Sequence, residues 1–211
     1  MKKATLSLAL ASVLLPCVAA GQVGPGSPYE APGPERDSWY IGFGAGLGAG
    51  SLTVDGRTTS FHDFASKDQQ VPLALQFELG ATVQPDLLLG LDLRMVGVSG
   101  GGSAGDGIVD RDVNVVEALA VITWFPRQHG FFVRGGAGLA AIGSEATING
   151  QRSKKSVTGV GGLLGLGYAW WLGRHFNLTL NTDLSAQVYD HDAGQPSSSR
   201  SLDVYLGFTW Y

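Results

Sequence analysis

The sequence predicts an all-β protein, an eight-stranded antiparallel up-and-down transmembrane β-barrel. From Trp39 to the C-terminus, apolar residues alternate with small or polar residues with a period of two, as side chains do along a β-strand. The alternation falls into eight segments of about ten residues, the length that crosses a bilayer at a barrel-like tilt. The charged residues of these segments all lie on the face opposite the apolar one.

The residues before the alternating region have a different composition. Residues 1–20 combine two lysines, an apolar run and small residues, which is the order of a secretory signal peptide. Residues 21–37 are rich in Pro and Gly and predict a flexible periplasmic linker. The predicted organisation is therefore a signal peptide at 1–20, a linker at 21–37 and a β-barrel at 38–211.

Cleavage after residue 20 changes the chemistry of the mature chain. It removes Cys17, so stability has to come from burial and a closed hydrogen-bond ladder rather than from disulfides. Pro16 stands where a lipoprotein signal needs a small residue, which argues against lipidation of Cys17. The full chain has a net charge of -4, and cleavage also removes two lysines, so nucleic acid is not expected as a partner.

The first three segments each have the chemistry of a strand. Residues 39–50 alternate apolar side chains with an almost unbroken row of Gly. Residues 71–83 place Val, Leu and Phe on one face, and Pro72 fits only near the end because Pro cannot donate to a ladder. Residues 87–96 follow the tight link 84–86, whose Pro and Asp favour a turn.

The remaining five segments repeat this pattern. Residues 115–124 lead into a short turn at 126–130, and residues 131–141 and 159–170 are rich in Gly on their second face. The last two segments, 176–189 and 202–211, place Leu, Val and Phe on one face and mostly polar residues on the other.

The connections between the segments alternate in length. Three are short and four are long and polar, as expected when short periplasmic turns alternate with longer extracellular loops. The short links are 84–86, 126–130 and 171–175, and the long ones are 55–69, 97–112, 143–156 and 190–199.

The position of the charges decides between a membrane barrel and a soluble β-barrel or β-sandwich. A soluble barrel would carry its charges on the outside, whereas a Lys or Arg facing lipid at the bilayer midplane costs roughly 2–4 kcal/mol. The apolar faces of the eight segments contain no charged residue. The charges share the Gly-rich face instead: Glu78, Asp92, Arg94, Glu117, Arg134, Asp183 and Asp203.

The tryptophans indicate the orientation of the barrel. All five lie at segment ends next to the short links, so they predict an aromatic girdle at the periplasmic interface. These residues are Trp39, Trp124, Trp170, Trp171 and Trp210.

Two segments carry a resemblance to a known family: Phe132-Val133-Arg134-Gly135-Gly136-Ala137-Gly138-Leu139 and the ending Leu206-Gly207-Phe208-Thr209-Trp210-Tyr211. With the signal peptide and the eight segments, they resemble the small bacterial outer-membrane β-barrel proteins of the OmpX and OmpA-barrel type, over residues 38–211. The resemblance implies a location in the outer membrane of a Gram-negative bacterium. It also implies that the barrel-assembly machinery recognises the C-terminal strand through an aromatic last residue. Tyr211 matches, although Trp210 is the residue that faces lipid in our register.

The inward charges suggest a first functional hypothesis. Arginines paired with carboxylates would fill the lumen and block permeation, which predicts a structural or surface-interaction barrel. The predicted lumen charge network comprises Glu78, Asp92, Arg94, Glu117, Arg134 and Asp183. A narrow channel for small solutes is the alternative, favoured by the inward glycines, whose other role would be to make room for large side chains.

The expected loops suggest further contacts. Arg152, Lys154 and Lys155 would contact lipopolysaccharide phosphates. A lipid A-modifying enzyme is a weaker hypothesis, with His62 and His191 as the candidate bases, because a base has to approach a nucleophile closely. We expect no enzyme activity, cofactor or metal, and a monomer surrounded by outer-membrane lipids and lipopolysaccharide.

Overall fold

The computed structural model describes residues 36, 38–64, 72–104, 107–126, 130–148 and 151–211. The predicted signal peptide lies outside this part of the chain, and of the predicted linker only Arg36 is described. The strands are β1 (Trp39–Val54), β2 (Arg57–Ser60), β3 (Leu73–Gln84), β4 (Leu87–Ala104), β5 (Gly107–Trp124), β6 (Phe131–Ile148), β7 (Gln151–Trp171), β8 (Phe176–Tyr189) and β9 (Pro196–Trp210), and one short helix, α1, spans Phe61–Phe64. No helix among the described residues is long and apolar enough to cross a bilayer.

Eight of the strands form a closed antiparallel barrel. Each strand from β3 to β9 pairs with its neighbour in chain order, and β1 pairs with both β3 and β9. The closing pair runs from Ile41 opposite Trp210 to Thr53 opposite Ser198. The short strand β2 pairs only with the end of β1, so it lies outside the barrel wall. The predicted eight-stranded up-and-down barrel is confirmed.

The outer surface of the barrel is apolar along the middle of each strand. Large side chains on this face are strongly exposed in the isolated chain, for example Leu164 at 72% and Leu139 at 68%. Such a continuous apolar surface is suited to the hydrocarbon of a bilayer and not to water. We call this surface the lipid-facing band.

The inner surface uses glycine to accommodate large rings. Cβ atoms at Gly80 and Gly90 would press on the ring of Tyr40, and a Cβ at Gly167 would press on Phe132. These inward glycines therefore make room for aromatic side chains inside the lumen, as close packing requires.

The strands are longer than the sequence predicted. Most of the expected loops 97–112 and 143–156 continue β4, β5, β6 and β7 as ladders. Each predicted strand ended where its outward residues became polar. The observed strands continue beyond that point, because above the bilayer the outer face of a strand meets water and can be polar. The pattern therefore inverts there: Val98, Val113 and Val157 are buried inside, whereas Glu145 and Lys154 lie outside.

The hairpin that joins β1 to β2 was also expected to be loop. Asp55 and Gly56, with φ of 47° and 76°, form its two-residue turn. Positive φ at both central residues is the geometry that Asp-Gly supplies in tight hairpins. The turn is held to the β8–β9 connection, because Gly194 N donates a hydrogen bond of 3.0 Å to Asp55 Oδ1.

The β1–β9 seam gives the first testable prediction. A Cβ at Gly46 would overlap the Val204 carbonyl of β9, which is backbone and cannot rotate away. We expect Gly46→Ala to lower the free energy of unfolding by about 1–3 kcal/mol. Urea titration of the barrel refolded in detergent, with the heat-dependent gel shift of closed barrels as a second readout, measures this.

Gly143→Ala is the matched control, because a Cβ at this β6 position meets nothing within 4 Å. Equal stability of the two variants would contradict the predicted close approach of β1 to β9.

Candidate functional site

The predicted lumen charges meet in one buried network at mid-barrel. Six strands contribute to it, because each places its charged residue at an inward position of the same alternation. All six predicted residues take part, and Asp203 of β9 joins them. Arg94 is 1% exposed, and Asp183 and Asp203 are fully buried.

Arg94 binds carboxylates from two sides of the lumen. Its Nη1 lies 3.1 Å from Glu117 Oε2, and its Nη2 lies 2.7 Å from Asp203 Oδ2. Asp183 Oδ2 lies 3.8 Å from the same Nη2. Nη2 also donates a 3.0 Å hydrogen bond to the Tyr205 hydroxyl. Arg94 therefore connects β4 with β5, β8 and β9 across the lumen.

Arg134 holds a second group of carboxylates. Its Nη1 donates to Glu78 and its Nη2 donates to Asp92. Its Nε lies 3.1 Å from Asp183 Oδ1, as an ion pair that lacks the alignment of a hydrogen bond. Asp183 thus faces both arginines and joins the two halves of the network.

The arginines bind carboxylates that the strand register places directly opposite one another. Glu78 is directly opposite Asp92, and Asp183 is directly opposite Asp203. Like charges in directly opposed positions destabilise a sheet. A guanidinium that binds both members of a pair, as Arg134 does with Glu78 and Asp92, compensates this repulsion.

Neutral donors complete the network, since five carboxylates face only two arginines here. Gln76 Nε2 donates to Glu78 at 2.9 Å and to Asp92 at 2.8 Å. Gln187 Nε2 donates to Glu117 at 2.9 Å, and Ser201 Oγ donates to Asp203 at 2.7 Å. The sequence places these residues at inward positions, but it does not show that they and Tyr205 bind the charged groups.

Apolar residues cover the network on its extracellular side. Residues of β1 and β3–β9 and the ring of Phe61 from α1 form the upper apolar layer. A Cβ at Gly50 would press on the Phe61 ring, so this glycine makes room for the helix against the wall. The upper apolar layer contains Leu52, Phe61, Ala74, Val96, Val98, Val113, Val115, Ala140, Ile142, Val157, Tyr189 and Tyr205.

A second apolar layer covers the network on its periplasmic side. We call it the lower apolar layer, and it contains Tyr40, Leu88, Phe125, Phe132, Ala169 and Tyr211, with Trp171 packed against it. Tyr211 follows the last strand, and burial raises the pKa of its phenol above the usual range.

Arg36 is buried against this lower layer. Its guanidinium carbon lies 3.5 Å from the centroid of the Phe125 ring, 5.1 Å from Trp171 and 5.8 Å from Tyr211, which are cation–π distances. The sequence had assigned Arg36 to a flexible linker. In the structure, the side chain of this one described linker residue contacts the rings at the periplasmic mouth of the lumen.

Four of the five predicted girdle residues lie on the lipid-facing band at the ends next to the short turns: Trp39, Trp124, Trp170 and Trp210. Trp171 differs from the expectation, because it points into the lumen and its ring lies 5.6 Å from that of Tyr211. Adjacent residues of a strand face opposite sides, so Trp170 and Trp171 cannot both face lipid.

The three basic residues predicted to contact lipopolysaccharide do not share one face. Arg152 and Lys154 lie on the outer face of β7, and both pair with Glu145 of β6, with Lys154 Nζ 3.2 Å from Glu145 Oε2. Lys155 is exposed on the opposite side of the strand. The local positive charge is therefore smaller than the sequence suggested.

The two candidate catalytic histidines make no hydrogen bond to a serine within the described residues. His62 is exposed in α1, where the Ser60 hydroxyl accepts a 3.1 Å hydrogen bond from the backbone of Asp63. His191 Nδ1 lies 3.1 Å from the carbonyl oxygen of Tyr189. Neither histidine is therefore positioned to activate a serine of the described residues, and Ser66 lies outside them.

Solved structures with a similar fold are small outer-membrane barrels. Ail, the attachment invasion locus protein of Yersinia pestis, solved in complex with the heparin analogue sucrose octasulfate, superposes with a TM-score of 0.56 at 11% identity, over 82% of this chain and 99% of Ail. Neisserial surface protein A superposes with a TM-score of 0.51 at 15% identity, over 82% of this chain and 96% of that protein. No family model and no curated protein sequence matches the chain. The fold is that of small outer-membrane barrels of Gram-negative bacteria, and the lipid-facing band agrees with that location.

The network gives the second testable prediction. Arg94→Ala removes the partner of several buried carboxylates, so we expect the free energy of unfolding to fall by about 3–5 kcal/mol. The matched control is Arg152→Ala, which removes an arginine that also pairs with a carboxylate but is 61% exposed. We expect this control to lose at most about 1 kcal/mol.

Urea titration of both variants in the same lipid vesicles measures the difference. A loss for Arg94→Ala no larger than that for Arg152→Ala would show that the lumen network does not stabilise the barrel.

Proposed function

We propose that this protein is a closed-lumen outer-membrane barrel with a structural or surface-interaction role. The observation that carries the proposal is the stacking of three layers inside the lumen. A charged layer at mid-barrel lies between the upper and lower apolar layers. Each layer would hinder an ion, and the proposal is that the three together block its passage.

The charged layer is unsuited to conduction. An ion would have to replace contacts that hold Arg94 and Arg134 against carboxylates from several strands. An eight-stranded barrel leaves room for little besides its own side chains. Among the inward glycines that favoured the channel hypothesis, Gly167 makes room for the ring of Phe132, and Gly48 and Gly165 make room for Asp203 and Asp183 of the charged layer.

The third prediction tests closure directly. Purified protein in planar bilayers should give no steady current at either voltage polarity at neutral pH, because ions would meet the apolar layers. Insertion is checked separately by protease protection of the strands in vesicles, and a sixteen-stranded porin in the same membrane is the positive control. A steady current from inserted protein would overturn the closed lumen in favour of the narrow channel.

The extracellular end of the barrel supports a role at the surface. The β4–β5 and β6–β7 ladders continue beyond the lipid-facing band with a buried apolar interior and polar residues outside. The hydrogen bond between Gly194 and Asp55 joins two more connections at the same end. A rigid β-structure of this kind can present fixed side chains to a partner at low entropic cost.

The partner we propose for this end is lipopolysaccharide, through the outward Arg152 and Lys154. Lys154 lies sixteen residues before Trp170 of the girdle, or about 53 Å along the strand and about 40 Å in height at a barrel-like tilt. The lipid-facing band of such barrels is about 25 Å tall. This pair would therefore contact sugar phosphates well above the bilayer, in competition with Glu145.

The fourth prediction concerns these residues. Replacing Arg152, Lys154 and Lys155 together by Ala should weaken binding of lipopolysaccharide that carries its phosphorylated core sugars, because about 1 kcal/mol is lost per cation near an anionic surface. Titration of the detergent-solubilised barrel, followed by native mass spectrometry, measures the affinity. A triple variant that binds as tightly as the wild type would refute this contact.

A further inference from the structure

Arg200 is a charged residue on the outer face of the barrel that the sequence analysis did not assign to a strand. It belongs to β9, which begins at Pro196 rather than at residue 202. Arg200 lies on the same face of β9 as Leu202 and Leu206, which are exposed on the lipid-facing band. Arg200 is itself exposed, and no carboxylate within the described residues pairs with it.

The height of Arg200 places it at the edge of the bilayer. It lies ten residues before Trp210 of the periplasmic girdle, or about 33 Å along β9. At a strand tilt of about 40° this distance corresponds to about 25 Å in height, which equals the height of the apolar band of such barrels. Arg200 is therefore at the level where outer-leaflet headgroups begin, about 15 Å below Lys154.

On its β1 side, the neighbours of Arg200 change from apolar to hydroxyl-bearing at this same level, whereas on its β8 side the neighbour is Ala186. In the row below it, Leu202 is opposite Ala49 on one side and Leu184 on the other. In its own row, Arg200 is opposite Ser51 of β1, and Ser51 is opposite Ser60 of β2.

Both serines in this row are partly exposed. The row Ser60–Ser51–Arg200 combines one guanidinium with two hydroxyls just above the hydrocarbon.

We propose that this row binds a phosphate group of lipid A in the outer leaflet. A guanidinium binds phosphate through two parallel N–H donors, and serine hydroxyls can donate to the remaining oxygens. An arginine next to lipid is costly, and no carboxylate of the described part of the chain pairs with Arg200, so a phosphate at the same height would supply the counter-charge. Arg152 and Lys154 differ from Arg200, because both of them pair with Glu145.

This site is separate from the one proposed for Arg152 and Lys154. It rests on the membrane orientation of the barrel and not on the closed lumen, so a conducting barrel could still bind lipid A through Arg200. The two proposals for lipopolysaccharide are distinguished by ligand, because lipid A lacks the core sugars that Lys154 would reach.

The test compares Arg200→Gln with Lys154→Gln in detergent solution, by native mass spectrometry of bound lipid. The ligands are diphosphorylated lipid A, its dephosphorylated form and phosphatidylglycerol. We expect Arg200→Gln to bind diphosphorylated lipid A about fivefold more weakly than the wild type, the effect of one lost cation near an anionic surface. Binding of the dephosphorylated form should not change. Arg200→Lys keeps the positive charge, so it should retain part of the affinity. This variant is the control for a loss of binding caused by misfolding.

Three outcomes would overturn the proposal. One is unchanged affinity of Arg200→Gln for diphosphorylated lipid A. Another is an equal loss for the dephosphorylated form, which would mean that Arg200 acts by packing. The third is an equal loss for phosphatidylglycerol, which would mean that the row attracts any anionic lipid. Lys154→Gln should bind lipid A as the wild type does, and a fivefold loss there would move the site to the β6–β7 ladder.

Discussion

The ion pairs of Arg94 and Arg134 constrain the rest of this barrel. Eight strands enclose a space that only side chains can fill, and here much of that space is occupied by ionised groups. A buried charge without a partner costs several kcal/mol, so each carboxylate has to lie within reach of a guanidinium or a neutral donor. Residues on six strands meet this requirement only when the barrel is closed in one register. The network therefore favours a single closed register.

The apolar layers follow from the same requirement. Charges pair more strongly in a low-dielectric surrounding, and the upper and lower apolar layers border the network on its two sides. Arg36 contributes to this arrangement from outside the strands, because its guanidinium covers Phe125 and Trp171 at the periplasmic mouth. The proposed closure of the lumen thus depends on the whole interior, and the two arginines alone would not maintain it.

The environment outside the wall changes along each strand, and the sequence changes with it. Within the bilayer the outer face is apolar and the inner face carries the charges. Above the bilayer the outer face meets water, so polar residues such as Glu145 lie outside and valines such as Val98 and Val113 fill the interior. Arg200 lies at the transition between these regimes on β9, and Lys154 lies well beyond it on β7. This difference in height is the basis for assigning them different parts of a lipopolysaccharide molecule.

The sequence by itself determined the fold class, the number of barrel strands and the face on which each charged residue of the eight predicted segments lies. It could do so because the two-residue period of a strand is local, and because lipid excludes charge from one face. The same local rule already places Trp171 inside, opposite Trp170. The rule failed to find the extracellular ends of the strands, because it assumed lipid outside the barrel wall, whereas water lies outside the wall there.

Only the tertiary structure decided which groups meet. The register of β1 against β9 and the closure of the wall bring Arg94 to Asp203 and Arg134 to Glu78, residues far apart in the chain. The same closure places Arg36 over Phe125 and aligns Arg200 with Ser51. Contacts across a lumen depend on the relative positions of all eight strands, and no local pattern encodes those positions.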